Sequence, residues 1–248
     1  MELRNFVSFF FGLIRAMGRI VDSTEKLNEK MPEADRMPRS DFVYNYSTTH
    51  RQFVNELLLS RAVDTFQLYV VSILREIFSA KPEMLKSEGT VEAATILDLG
   101  SYDEIVRHIV EKKLNDLSYQ PLSELTKYIQ SRTGVELFPD TEQREQAILA
   151  YEIRNLIAHN ACQPNEIFRR RTANLKLVQV PPIRDGQLDI GDEWVRQASY
   201  AFDRIAFTFD SAVIAKFNLP TVPGMTPPLD QKEMDPPTEW EERPGSGC

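Results

Sequence analysis

Three features of the 248-residue sequence predict an all-α fold with one short β-hairpin or extended insertion near residues 175–190. Apolar residues recur at three- and four-residue steps over several long stretches, the pattern of amphipathic helices. Cap and stop residues bracket those stretches. One stretch, Leu175 to Ile190, breaks the helical period with Pro181, Pro182 and Gly186 and reads as extended chain.

The first element is an amphipathic helix. Phe6, Val7, Phe9, Phe10, Phe11, Leu13 and Ile14 form an apolar run that continues through Met17, Ile20, Val21 and Leu27 at helical spacing. Glu2 sits where a secretory signal carries positive charge, and no small-residue cleavage site precedes Arg15 and Arg19. The run is shorter than the roughly 20 apolar residues of a bilayer span. Packing against a domain or a partner is expected, with attachment to a membrane surface as the alternative. Pro32 and Pro38 make Met31 to Arg39 a linker, so residues 1–40 form an N-terminal helix and linker.

A long helix then runs from about Asp41 to Ala80 and ends before Pro82. Val54, Leu58, Ala62, Phe66, Val70, Ile73 and Ile77 keep its period, while Leu57, Tyr69 and Leu74 widen the stripe. A stripe that wide belongs to a central, mostly buried helix. Ser101 and Glu104 fit a capping box, which starts a helix to about Leu117 with Ile105, Ile109 and Leu114 inward. Another helix spans Leu122 to Arg132 and stops at Gly134.

Asp140 and Gln143 repeat the cap logic and start a helix to about His159, ended by Asn160 and Pro164. The Arg184-Asp185-Gly186 turn centres the extended insertion. A final helix from Asp192 to about Phe217 buries Val195, Ala198, Phe202, Ile205, Phe209 and Ala212. These elements define a helical domain over 41–218. Residues 219–248 are expected to be a disordered, Pro-rich acidic tail. Its six acids against Lys232 and Arg243 give −4 of the chain's −8 net charge.

That charge argues against a surface coated in basic residues, so any nucleic acid must be engaged at a local patch. Cys162 and Cys248 are too few for a disulfide scaffold or a cysteine zinc site and suit a reducing compartment. With no membrane span expected, the cytoplasm is the default location. No Walker loop, dinucleotide fingerprint, HExxH or paired CxxC occurs, so neither metal nor cofactor is expected.

One segment carries chemistry: Arg154-Asn155-Leu156-Ile157-Ala158-His159. At about 100° per residue, Leu149, Ile153, Leu156 and Ile157 form the buried stripe of this helix, and Asn155 and His159 share the opposite face with Glu152 nearby. Arg154 lies about 140° round from His159. The two do not converge within one straight helix, so a single chain carries half a site. A histidine moves protons near neutral pH, and a guanidinium grips phosphate and stabilises charge developing on its oxygens. Asn155 would orient either group or bond the substrate. RNA supplies its own nucleophile, the 2′-hydroxyl. The plain alternatives are an exposed histidine favoured by the helix C-terminus and an arginine paired with a neighbouring acid such as Glu152 or Glu145.

Glu152 to Asn160 resembles the R-x4-6-H motif of the HEPN superfamily, including the polar residue directly after the arginine. The surroundings are similar too: a long upstream helix, the motif late in a helix, a basic stretch at Arg169-Arg170-Arg171, and a long closing helix. The likeness covers roughly Asp41 to Leu219 and points to the subgroup named for its fusions to ribosomal L-PSP-type proteins. It implies a HEPN-like helical bundle and a metal-independent endoribonuclease with Arg154, Asn155 and His159 at a homodimer interface. It also implies a role in toxicity or phage defence, with an antitoxin or defence-system partner. Arg169, Arg170 and Arg171 are the candidate RNA contacts; their alternative is a solvated helix face. Where HEPN toxins controlled by tyrosine modification carry a Tyr two residues beyond the His, this chain has Ala161. The second functional reading is a non-catalytic helical module that binds RNA or a protein.

Overall fold

The computed structural model describes residues 12, 16, 19–36, 49–86, 90–118 and 120–219. Most of the apolar run from Asn5 to Ile14, the expected helix start at Asp41 and the acidic tail beyond Leu219 lie outside those residues. From Arg51 onward the elements are α1 (Arg51–Ala80), a 3-10 turn (Pro82–Leu85), α2 (Ala93–Leu99) and α3 (Tyr102–Ser118), then α4 (Leu122–Thr133) and α5 (Thr141–Asn160). They continue through α6 (Glu166–Thr172), β1 (Ile183–Arg184), β2 (Gln187–Leu188) and α7 (Asp192–Phe217). The fold is mostly helical, with one antiparallel hairpin pairing Ile183 with Leu188 and Arg184 with Gln187. Asp185 and Gly186, at φ 50° and 83°, make its two-residue turn. Both central residues at positive φ match the twist of the flanking strands.

Helix α1 is the central element and packs on α3, α5 and α7. An 18-residue window of it reaches a mean hydropathy of 1.4, apolar enough by length and composition to cross a membrane. In this fold the helix is partly buried: Leu59, Val70, Leu74, Ile77 and Phe78 are fully enclosed in the core, while Leu57 and Leu68 are exposed. Phe66 joins three parts of the molecule, stacking on Phe202 of α7 at 4.7 Å and meeting Phe138 at 6.4 Å between ring centroids.

The inward positions follow the expected stripes with four departures. Leu57 is 55 % exposed and lies with exposed Phe53 and Leu68 on the face of α1 turned from the core. Val110 takes the buried place expected of Ile105 and Ile109, which are half-buried, because α3 is rotated toward the Val110, Leu114, Leu117 line. In α7 Val213 is buried and Ala212 exposed: the stripe steps four residues on from Phe209 rather than three. Residues 19–28 are helical, but none is buried, and Ile20 and Leu27 are exposed. The apolar side chains from Phe6 to Ile14, on which the expected packing of that helix against a domain or partner rests, lie outside the described residues; within them Ile20, Val21 and Leu27 are a thin stripe amid Arg19, Glu25 and Lys26.

Side chains of α1 fasten the hairpin. Gln52 donates to the Leu188 carbonyl at 2.8 Å and accepts from the Ile190 N–H at 3.0 Å. Buried Asn55 donates to the Ile190 carbonyl at 2.7 Å and to Asp192 at 3.0 Å. These bonds satisfy backbone groups that a two-residue ladder leaves unpaired.

At the other end of the core, Tyr69 donates its hydroxyl to the Asp210 carboxylate at 2.6 Å. Burial pushes the Asp210 carboxyl above the ordinary carboxylate range, and the Tyr69 bond pulls it partly back. A carboxyl whose folded pKa is raised holds its proton more tightly folded than unfolded. Its contribution is therefore complete below the unfolded value, about 3.9, and is lost as pH rises through the folded value. Asp210→Asn keeps an acceptor for Tyr69 and removes this loss. It should melt higher than wild type at pH 7 and show no such advantage near pH 3. A uniform drop at both pH values would contradict this account.

Candidate functional site

Helix α5 is set by its caps. The Asp140 carboxylate accepts from the Gln143 N–H at 2.8 Å, satisfying one of the first-turn donors. At the far end Ala161 and Cys162 both turn left-handed, at φ 46° and 59°, and the Cys162 N–H returns to the Leu156 carbonyl at 3.1 Å. The chain after His159 is then tied to the hairpin, because the Leu188 N–H donates to the Cys162 carbonyl at 3.0 Å and Gln187 to that of Ala161 at 2.9 Å. Burial pushes the Cys162 thiol up to about 12, so it stays protonated and unreactive at neutral pH. Left-handed backbone strains a residue with a Cβ by about 1–2 kcal/mol, part of which glycine's greater freedom in the unfolded chain offsets. Ala161→Gly should raise the unfolding free energy by up to about 1 kcal/mol in urea titration.

The reversed chain lays α6 against α5. Asn160 donates to the Gln163 carbonyl at 2.6 Å, and Asn165 caps α6 by accepting from the Phe168 N–H at 2.9 Å. Between the two helices lies an open groove of about 360 Å³ lined by Glu152, Asn155 and His159 from α5 and by Asn165, Ile167 and Arg171 among others from α6 and its cap. The expected shared face of Glu152, Asn155 and His159 is thus present, with His159 exposed in the last turn. Arg171 donates from one Nη1 to both Glu152 oxygens, at 3.2 Å each. Arg169 and Arg170 line an adjoining pocket with Glu166 and Ile167.

Arg154 is elsewhere. It is one-third exposed and donates from Nη2 to Asp64 of α1 at 2.8 Å. Neither neighbouring acid considered from the sequence is its partner: Glu152 takes Arg171, and Glu145 accepts from the backbone N–H groups of Lys176 and Leu177 at 2.7 Å each. Those backbone donors, that of Leu177 foremost, hold the Glu145 carboxyl below the ordinary carboxylate range. Beside the Arg154–Asp64 pair the Tyr151 hydroxyl is buried without a hydrogen-bond partner. Burial raises its pKa, and the Arg154 charge counters part of that rise.

The structure therefore brings Asn155 and His159 together with Arg171, keeps Arg169 and Arg170 on the same short helix, and holds Arg154 outside that groove. Glu152 in contact with Arg171, and Asp64 as the partner of Arg154, are the two site residues whose roles the sequence did not reveal. Among the described residues no three His, Cys, Asp or Glu side chains stand close enough to hold a metal ion. No protein-family model, curated protein or solved structure matches this chain.

Proposed function

We propose that this chain is an endoribonuclease of the HEPN type that works without a metal and as a homodimer. One observation carries the reading: Asn155 and His159 open into a groove whose other wall bears Arg171 of α6, with Arg169 and Arg170 of the same helix lining the adjoining pocket. His159 is the acid-base group, Arg154 the phosphate clamp, and Arg169 and Arg170 contact the RNA backbone. The chemistry is attack of the 2′-hydroxyl on the adjacent phosphorus with loss of the 5′-oxygen, leaving a 2′,3′-cyclic phosphate and a 5′-hydroxyl.

The position of Arg154 supports a shared site. On α1 its partner Asp64 falls in line with exposed Phe53, Leu57 and Leu68, at about 0°, 40° and 60° around the helix with Asp64 at about 20°. An apolar face that frames an ion pair suits a second copy of this chain. Such a copy would bring the guanidinium of one protomer to the His159 groove of the other. Toxicity or a defence role, with an antitoxin or another protein restraining the site in the cytoplasm, follows from the same reading.

The test is incubation of purified protein with mixed cellular RNA in EDTA. Fragments ending in 2′,3′-cyclic phosphate are expected. RNA that stays intact while bound would favour the non-catalytic module, to which Arg154 engaged by Asp64 already lends weight.

A further inference from the structure

Cleavage through the 2′-hydroxyl needs two proton transfers, one from the attacking oxygen and one to the leaving oxygen. The R-x4-6-H motif supplies one imidazole per chain. The geometry points to Glu152 as the second proton carrier: the general base that takes the 2′-hydroxyl proton, in the same groove and on the same helix face as His159. This rests on the endoribonuclease reading and adds to it a residue that the motif does not contain.

Four observations converge on Glu152. It lines the groove with Asn155 and His159. Positions 152, 155 and 159 follow the three- and four-residue steps that align side chains on one face. The carboxylate is only 16 % exposed, so it is sheltered within the groove rather than waving in solvent. Its two oxygens are pinned by a single Arg171 nitrogen, 3.2 Å from each, which fixes the carboxylate and, since a carboxylate has about four lone-pair sites, leaves capacity on both oxygens to take a proton. Arg171 is thereby a positioning residue.

Two helical turns, about 10 Å along the axis, separate Glu152 from His159. A phosphodiester seated over Asn155 fits between them, with the 2′-oxygen toward one and the 5′-oxygen toward the other. The step balances. The 2′-hydroxyl proton passes to Glu152 as the 2′-oxygen bonds phosphorus. The phosphorus–5′-oxygen bond breaks, and that oxygen takes a proton from the His159 imidazolium. No oxidant, reductant or co-reactant is needed. The Asn155 amide is placed to bond a phosphoryl oxygen as charge builds on it.

The same groove without this role would hold Glu152 only as an ion pair that docks α6. The two differ in kinetics. A base must be deprotonated to act, and an acid protonated, so activity should rise and then fall with pH. Glu152→Gln, Glu152→Asp and Arg171→Lys are compared with wild type on an RNA oligonucleotide. Binding is read on the same oligonucleotide with the 2′-hydroxyl at the cut replaced by hydrogen, and folding by the melting temperature. Expected is a fall in kcat of about 10²–10⁴-fold for Glu152→Gln, with loss of the rising acid-side limb and no weakening of binding. Glu152→Asp should keep that limb at reduced rate, and Arg171→Lys should lower kcat while keeping the bell. Wild-type cleavage with an unchanged pH profile in Glu152→Gln would overturn the inference and leave the endoribonuclease reading standing. Intact RNA with wild-type protein would remove both.

Discussion

Phe66→Ala is expected to lower the unfolding free energy by about 3–5 kcal/mol, the usual range for deleting a buried phenyl ring. Two terms add. The ring's apolar surface returns to water on unfolding only in the wild type, and the variant folds around a void between α1, α7 and the Val135–Phe138 segment. The void cannot close easily, because Phe202, Phe138 and Tyr69 that surround the ring belong to different elements. The 4.7 Å stack with Phe202 adds a pair interaction of about 0.5–1.5 kcal/mol, counted within the total. Since single domains hold only about 5–15 kcal/mol of stability, the variant should sit close to unfolding at room temperature. Denaturant titration followed by far-ultraviolet circular dichroism measures it. A loss under about 1 kcal/mol would mean that this aromatic cluster is not the junction of the fold.

His159→Ala and Arg154→Ala should each reduce RNA cleavage by at least about 10²-fold with little change in melting temperature. His159 is exposed in the last turn of α5, so its loss leaves no cavity. Arg154 makes one bond to Asp64 at the surface, both side chains being a third or more exposed, and exposed pairs contribute little to stability. Asp64→Asn, which releases the guanidinium from a charged partner without removing it, separates two roles for that contact. If Asp64 holds Arg154 in place for the second copy, Asp64→Asn lowers cleavage; if it restrains the arginine, the variant cleaves faster. Equal cleavage by wild type and His159→Ala would leave the groove without a chemical role.

Much of the architecture is legible in the sequence because long helices announce themselves. Gly134 at φ 60° ends α4 and Asp140 caps α5, each at the residue whose chemistry demands it. The Ser101–Glu104 box is present in altered form: the Glu104 N–H donates to the Ser101 hydroxyl at 3.3 Å, and that hydroxyl returns a bond to the Glu104 carboxylate. Short elements escape. Helices α2 and α6 have seven residues each, fewer than two full apolar steps, so neither shows a period. Asn165 three residues before Phe168 is the one signal that marks α6.

The site divides along the same line. The common face of Asn155 and His159 is a property of one helix and follows from spacing alone. The Arg154–Asp64 pair joins residues 90 apart in sequence and Arg171–Glu152 joins residues 19 apart, contacts that depend on how helices cross. The wheel does exclude Arg154 from the His159 face. It cannot say that a lone carboxylate in the apolar run of α1 is waiting there.

The claim that two copies complete one site has a direct test in mixing. Arg154→Ala and His159→Ala proteins, each inactive alone, are combined, allowed to exchange subunits, and assayed on RNA in EDTA. Mixed dimers retain one cleft with an intact histidine from one chain and an intact arginine from the other, so cleavage should reappear. A mixture as inactive as its components, while light scattering shows that subunits have exchanged, would contradict the shared site.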